Sequence, residues 1–302
     1  MIDNRLVTFV DLCETLNYSL TAKRLFISQP TVSLHIKSLE EHYHTQLFRK
    51  QNRMLILTPQ GELLYNYART ANANAAMIQT LLSQSSKAQN AHHIGSLLTI
   101  GEVIMPRVIN DFLVLNPRDN FSLIIGDADF LIGQLQKGQI SLAILDDFYD
   151  STKMESEYFF QDNTICVCNS DHPLANKTVK FDELYDQLLV YREYRSTSMT
   201  HFIEILTRYG HNPQNFTRQL HLGSFTSSKT YVQRFGGITF AYRFFMAEDI
   251  KNGNLAQIFI EDFNPLHIFR FVWNKDSPFT KSDHVIIEFC NNNISSLLKS
   301  IS

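Results

Sequence analysis

Apolar residues at Leu6, Phe9, Val10, Cys13 and Leu16 recur at three- and four-residue intervals, the pattern of an amphipathic helix. Asn17-Tyr18-Ser19 then supplies a stop and an N-cap candidate, Ser19, for a short helix through Ala22 and Leu25. Ser28 is a second N-cap candidate. Pro30 is tolerated just inside a helix start, where amides have no intrahelical partner to lose, so a third helix is predicted from about Gln29. Its apolar positions Val32, Ile36, Leu39 and Tyr43 form one stripe and leave Thr31, Ser33, Leu34, His35, Lys37 and Ser38 on or near the other faces. Leu47-Phe48-Arg49-Lys50 and Met54-Leu55-Ile56-Leu57-Thr58 read as two short strands around the basic tip Gln51-Asn52-Arg53, a β-wing.

Thr58 before Pro59 is a strong helix start. Leu64, Ala68, Ala71, Ala75, Ile78 and Leu82 follow at alternating intervals of four and three, a heptad seam on a rod of roughly 40 Å. Such a seam pairs two copies of the helix or packs on its own chain. Ser83 to His93 is rich in Ser, Gln, Asn and Ala and reads as a hinge, with His92 and His93 as solvated linker residues rather than metal ligands. Beyond it, strand-like runs (97–100, 121–125, 140–144) alternate with helices (about 106–115, and through Leu131 and Leu135), which indicates βαβ units and a largely parallel sheet. A second set follows, with strands at 164–168, 188–191 and 238–241 and helices near 200–209 and 226–235. A late strand (268–273) and a final helix (about 282–298) return to the first set.

Length, 302 residues, suits about two folding units. With 44% hydrophobic and 19% charged residues and no apolar run near the roughly 20 needed to cross a bilayer, a membrane protein is not expected. The N-terminus carries no signal-peptide pattern, so the expected location is the cytoplasm. The formal charge of -3 conceals a basic segment: Lys23, Arg24, Lys37, Arg49, Lys50 and Arg53 stand against Glu40 and Glu41 alone. A local basic patch on an acidic chain points to one polyanion-binding module. Four scattered cysteines imply no disulfide framework. Cys166 and Cys168 share a strand face near His172, but their apolar run favours burial over a metal or redox site. No Gly-rich phosphate loop, metal-protease motif or nucleophile elbow appears, so no catalytic residue, metal ligand or cofactor is assigned.

The run from Phe9 through Tyr18-Ser19-Leu20-Thr21-Ala22-Lys23-Arg24-Leu25-Phe26-Ile27-Ser28-Gln29-Pro30-Thr31-Val32-Ser33, then Ile36 to Glu40, Leu47-Phe48-Arg49 and Leu57-Thr58-Pro59-Gln60-Gly61, closely resembles the DNA-binding domain of LysR-type transcriptional regulators. The resemblance continues more weakly through Ile100-Gly101, Asn116-Pro117, Leu142-Ala143-Ile144, His172-Pro173-Leu174-Ala175, Gly237-Ile238 and Val272-Trp273. It implies an α+β multi-domain chain: a winged helix-turn-helix (1–58), a linker and dimerisation helix (59–86), a hinge (87–93) and a periplasmic-binding-protein-like effector domain (94–302). The effector domain has two lobes, one of about 94–161 with 265–302 and the other of about 162–264.

The resemblance also implies roles. Gln29, Pro30, Ser33 and Leu34 approach base edges, Thr31 and Lys37 lie near the backbone, Arg53 enters the minor groove, and Ser28 and Arg49 complete the DNA-binding set. Leu34 departs from the polar or basic residue common there and offers a base only an apolar surface, such as contact with a thymine methyl. Phe235 and Tyr242 replace a common glycine and proline. Implied partners are promoter DNA with imperfect dyad symmetry of the T-N11-A type, a second copy of the chain in a homodimer or homotetramer, and RNA polymerase as a further candidate.

Ligands of open α/β sheets sit beyond strand carboxyl ends, at helix N-termini. This selects Gly101-Glu102-Val103, Arg195-Ser196-Thr197-Ser198 and Gly223-Ser224-Phe225-Thr226 as an effector site between the lobes. Arg192 or Arg195 would fork onto a carboxylate, which suggests an organic acid or amino acid co-inducer; the bland alternative for both is a surface ion pair. Two other readings stay open: a ligand-binding or enzymatic α/β protein in which the helix-turn-helix is incidental, and a regulator governed by protein partners without a small ligand.

Overall fold

The computed structural model describes residues 3–52, 54–83, 91–146, 154–192, 197–275, 277 and 280–301. Three helices, α1 (Asn4–Thr15), α2 (Tyr18–Arg24) and α3 (Gln29–Tyr43), precede the antiparallel wing β1 (Phe48–Gln51) and β2 (Met54–Leu57), whose register runs from Phe48 opposite Leu57 to Gln51 opposite Met54. Phe9, Leu12, Val32, Ile36, Leu39 and Leu47 bury almost completely in one core, and Phe48 meets Phe9 edge-on at 5.6 Å, rooting the wing on α1. The long helix α4 (Pro59–Ser83) leaves this core; Thr58 caps it, its hydroxyl accepting from Gly61 N at 3.0 Å.

The remainder is β3 (Ala91–Leu97), α5 (Leu98–Val103), α6 (Met105–Leu115), β4 (Asn120–Gly126), α7 (Ala128–Gln136), β5 (Leu142–Asp146), β6 (Met154–Asn169), β7 (Thr178–Val179), β8 (Leu188–Arg192), α8 (Thr197–Arg208), β9 (Arg218–Leu222), α9 (Phe225–Phe235), β10 (Ile238–Tyr242), α10 (Arg243–Lys251), β11 (Leu255–Ile260), β12 (Leu266–Asn274) and α11 (Thr280–Ile301). One path of pairing joins β4-β3-β5-β12-β6-β10-β8-β9. The parallel trio β4, β3, β5 makes the first lobe and the parallel trio β10, β8, β9 the second. Strand β6 belongs to both: its first part pairs with β12, and Thr164 to Cys168 pair with β10. At this crossing Phe160 stacks on Phe269 at 4.7 Å and Phe159 lies 4.5 Å from Phe271, so the lobes share an aromatic core.

Several expectations shift. The first strand of the effector domain runs over Ala91–Leu97, and the expected strand 97–100 is instead the junction into α5. Residues 91–93 of the expected hinge are therefore strand, paired with Asn120 to Ser122; residues 87–90 lie outside the described residues. The expected solvated histidines are not solvated. His92 is buried, its Nε2 3.0 Å from Asp119 Oδ2 and its ring edge-on to Phe112, while burial lowers the pKa of half-buried His93. Asn17, not Ser19, caps α2, accepting from Ser19 N and Leu20 N at 3.0 Å each. Tyr43 leaves the α3 stripe and is exposed, because the helix runs past the core at Leu39.

Candidate nucleic-acid interface and interlobe cavity

Ser28 Oγ accepts from Thr31 N at 3.2 Å and starts α3 with Pro30 in its first turn. The outward face of α3 carries Gln29, Pro30, Ser33, Leu34 and Lys37, all exposed; Thr31 is half-buried and shares a 2.8 Å hydroxyl contact with Ser28. Two other polar residues of this helix turn inward. His35 Nδ1 lies 2.8 Å from Thr8 Oγ1, and Ser38 Oγ accepts from Arg5. Glu40 ties helix to wing by accepting from Leu47 N at 2.8 Å. Arg49 and Lys50 are exposed on β1; Arg53 lies outside the described residues. Arg24 faces away from this surface, 3.0 Å from Asp11 and 3.2 Å from Glu14, so one cation of the basic segment serves the fold. Sequence reasoning passed over Phe26. It is 96% exposed in the α2–α3 turn with φ of 55°, a left-handed position where its side chain has no core to enter.

The linker corrects the expected seam at two of its positions, Leu64 and Ala68. Leu64 and the fully buried Ala68 pack into the DNA-binding core of their own chain, Ala71 and Ala75 are half-buried, Ile78 is exposed, and the side chain of Leu82 lies outside the described residues. Among the described side chains of α4, the exposed large apolar ones are Leu63, Tyr67 and Ile78, which share a face at helical spacing. Ala73 is buried where α4 meets the turn after α7: a β-carbon on Gly138 would fall 2.0 Å from the Ala73 carbonyl oxygen.

A cavity of about 950 Å³, counted with its open mouth, lies between the lobes at the carboxyl ends of β3, β4, β5, β8 and β10. The first lobe contributes Leu97, Leu98 and Thr99, then Gly126, Asp127 and Ala128 at the start of α7, and Asp146. The second contributes Tyr191, Phe202, Ile205, Phe225 and Phe240 to Tyr242, while Thr164 and His267 line it from the crossing strands, their Oγ1 and Nε2 2.8 Å apart. Burial, with Asp146 and Asp162 beside it, holds the Tyr242 phenol well above its ordinary pKa. Among the described lining residues the wall is aromatic and aliphatic with two carboxylates and no lysine or arginine.

Of the expected effector residues, Phe225 lines the cavity. Gly101, Glu102 and Val103 do not: they sit within α5, a consequence of β3 lying earlier than expected. Gly101 is buried against Ile125, and Glu102 stands at the rim, accepting from Thr226 Oγ1 across the cleft at 3.4 Å. Gly223 is exposed, and Ser224 caps α9 through Ser227 N. Arg195 and Ser196 lie outside the described residues, as do the side chains of Arg192, Thr197 and Ser198. Asp127, Asp146, Thr164 and His267 were missed. The signal was available for Asp146, which ends an apolar parallel strand; His267 and Thr164 meet only through the crossing of β6 and β12. All four cysteines are buried, and burial raises the thiols of Cys166 and Cys168, the latter to about 11.

Residues 4–62 match the family described as a bacterial regulatory helix-turn-helix protein of the lysR family, and residues 86–294 match the LysR substrate binding domain. The HTH-type transcriptional regulator CysL of Bacillus subtilis is 26% identical over 304 residues, covering 97% of this chain and 98% of that regulator. Among solved structures, a cysteine-to-serine mutant of Corynebacterium glutamicum OxyR with hydrogen peroxide bound superposes with a TM-score of 0.62 at 19% identity, over 99% of this chain and 94% of that one. The Synechocystis CcmR regulatory domain in complex with 2-PG gives 0.60 at 16% identity over 68% of this chain and 97% of that one. With both domain families matched in order over nearly its whole length, the chain belongs to the LysR family of transcriptional regulators, joining a helix-turn-helix DNA-binding domain to an effector-binding domain.

Proposed function

We propose that the protein works in the cytoplasm as a homodimer or homotetramer on promoter DNA of imperfect dyad symmetry, its own upstream region included, and that a small molecule in the interlobe cavity sets its activity. It acts by binding, without catalysis, and RNA polymerase is the downstream partner. The observation that carries the reading is α7: its start, Asp127 and Ala128, lines the cavity, and the turn after its end abuts Ala73 of the linker helix that leads to the DNA-binding core. The free face of α4, Leu63, Tyr67 and Ile78, is the surface proposed for pairing two copies, in place of the seam through Leu64 and Ala68.

An amino acid with an apolar side chain fits the lining better than a simple organic acid. Aromatic walls take its side chain, Asp127 and Asp146 favour its ammonium group, and amides at the helix N-termini favour its carboxylate. Two measurements test the proposal. Binding to the upstream DNA and to a scrambled duplex, titrated at several salt concentrations, should show selectivity with a steep salt slope; equal binding to both duplexes would overturn the operator assignment. A thermal-shift panel of amino acids beside their deaminated acids should stabilise with the amino acids, and stabilisation by the acids alone would reverse the ligand assignment.

A further inference from the structure

The outward face of α3 is unusual in what it lacks. A recognition helix reads bases through hydrogen-bonding side chains, yet Thr31, His35 and Ser38 are spent on Ser28, Thr8 and Arg5, and Lys37 lies 3.7 Å from Glu41. Gln29 and Ser33 are the remaining exposed uncharged hydrogen-bonding side chains of its first two turns. Beside them stand two apolar residues one turn apart, Pro30 and Leu34, with Leu34 64% exposed. An isobutyl group held in water at that level has no partner in its own domain, whose core is closed by Val32, Ile36 and Leu39 on the opposite face.

We infer that Leu34 is a specificity-determining residue that reads the 5-methyl group of thymine in the major groove, with Pro30 extending the same apolar strip toward a neighbouring base pair. The thymine methyl is the one apolar group a base pair offers there. Positions four apart on a helix are separated by about 6 Å along its axis, so the two residues span one or two base-pair steps of about 3.4 Å. Each half-site is therefore marked by a thymine opposite Leu34 and a second apolar contact one or two steps away. The inference rests on the DNA-binding function and adds which chemical feature of the sequence is read.

The test begins with a duplex selected from a random-core library by the purified full-length protein. Each thymine of its half-sites is then replaced in turn by deoxyuridine, which deletes one methyl group and leaves base pairing unchanged. Loss of one buried methyl is expected to weaken wild-type binding about three- to four-fold at the position facing Leu34. Leu34→Ala, at an exposed site outside the core, is expected to bind thymine and deoxyuridine duplexes alike at that position while keeping the wild-type salt slope; Lys37→Ala should lower the slope by about 1 and keep the methyl discrimination. Reselection with Leu34→Arg should exchange the thymine for a guanine, the base whose O6 and N7 suit a guanidinium. Wild-type indifference to deoxyuridine at every position, or undiminished discrimination by Leu34→Ala, would overturn the inference. Failure of the protein to select any sequence would overturn it together with sequence-specific DNA binding.

Discussion

Replacing Gly138 by alanine tests whether the linker helix is seated on the first lobe of its own chain. Gly138 ends α7 in a left-handed turn, φ +65°, closed by Gly138 N to Leu135 O at 3.1 Å and Gln139 N to Gln134 O at 3.0 Å. Alanine there meets two separate costs. The left-handed backbone disfavours any β-carbon by about 1 kcal/mol. The β-carbon also lands 2.0 Å from the carbonyl oxygen of Ala73, 2.6 Å from its carbonyl carbon and 2.9 Å from its Cα, a backbone obstacle that no rotamer change relieves. Ordinary contact begins near 3.5 Å, so α4 and the α7 turn must part by more than about 1 Å, which overpacked sites pay for with about 1–3 kcal/mol. Gly253 supplies the control, with φ +75° and nothing within 4 Å of its virtual β-carbon. Urea unfolding can be followed by Trp273, the single tryptophan, held in the first lobe by a 3.1 Å bond from Nε1 to Glu155. Gly253→Ala should lose about 1 kcal/mol and Gly138→Ala about 2–4 kcal/mol. Equal losses would refute the seating of α4 on α7.

Other expected outcomes bear on single groups. Asp283 is buried, accepts from Ser141 Oγ at 2.7 Å, and has its pKa pushed up by burial to about 6 from 3.8. The native state then binds the proton more tightly than the unfolded chain, so stability falls as pH rises from about 4 to 6 and the deficit persists above. Asp283→Asn should stabilise by up to about 3 kcal/mol at pH 7.5, with the gain shrinking below pH 6 and absent near pH 4; a gain independent of pH in thermal melts would contradict this. An aromatic disulfide reagent should label none of the four buried thiols in the native protein and all four in denaturant, and fast native labelling would show that the strand pair Cys166 and Cys168 opens. Asn17→Ala should destabilise the DNA-binding domain by about 1 kcal/mol in a thermal melt, more than Ser19→Ala, because Asn17 alone accepts from the first amides of α2.

Where burial follows from local pattern, the sequence was legible. Val32, Ile36 and Leu39 announce the buried side of α3, and Leu142-Ala143-Ile144 announces a strand enclosed on both faces. Where burial depends on a distant partner, it was not. Ala91-His92-His93 carries no β-strand signature, and His92 is inside because Asp119, 27 residues away, meets its ring nitrogen. The first part of β6, Met-Glu-Ser-Glu-Tyr, looks polar because Glu155, Ser156 and Tyr158 are exposed while β12 pairs along it; only the apolar second half reads as strand. The spacing of α4 was legible as a seam, but period alone does not name the partner, and Leu64 and Ala68 go to the core built by Phe9 and Leu12. The same displacement of β3 put the candidate effector residues Gly101–Val103 inside α5, just past Leu97, Leu98 and Thr99, which line the cavity.

The position of α7 makes the proposed regulation a matter of one rigid element. Its nine residues span about 14 Å, and Leu131 and Leu135, fully buried beside Ala143 and Leu145, fasten it to β5. A helix so packed does not bend at its middle, so a ligand that displaces Asp127 or Ala128 displaces the Gly138 turn as well, and Ala73 follows or loses its contact. Coupling of this kind is reciprocal: whatever factor the effector imposes on DNA affinity, DNA must impose on effector affinity. Calorimetric titration of a stabilising amino acid into the free protein and into its complex with the selected duplex should therefore give affinities differing by the factor seen in DNA binding with and without that amino acid. In Gly138→Ala, where α4 is pushed off the turn, both factors should fall toward one together. A variant in which they fell while DNA and ligand still bound at wild-type strength would place the coupling at this contact, and unchanged factors would remove α7 as the connection.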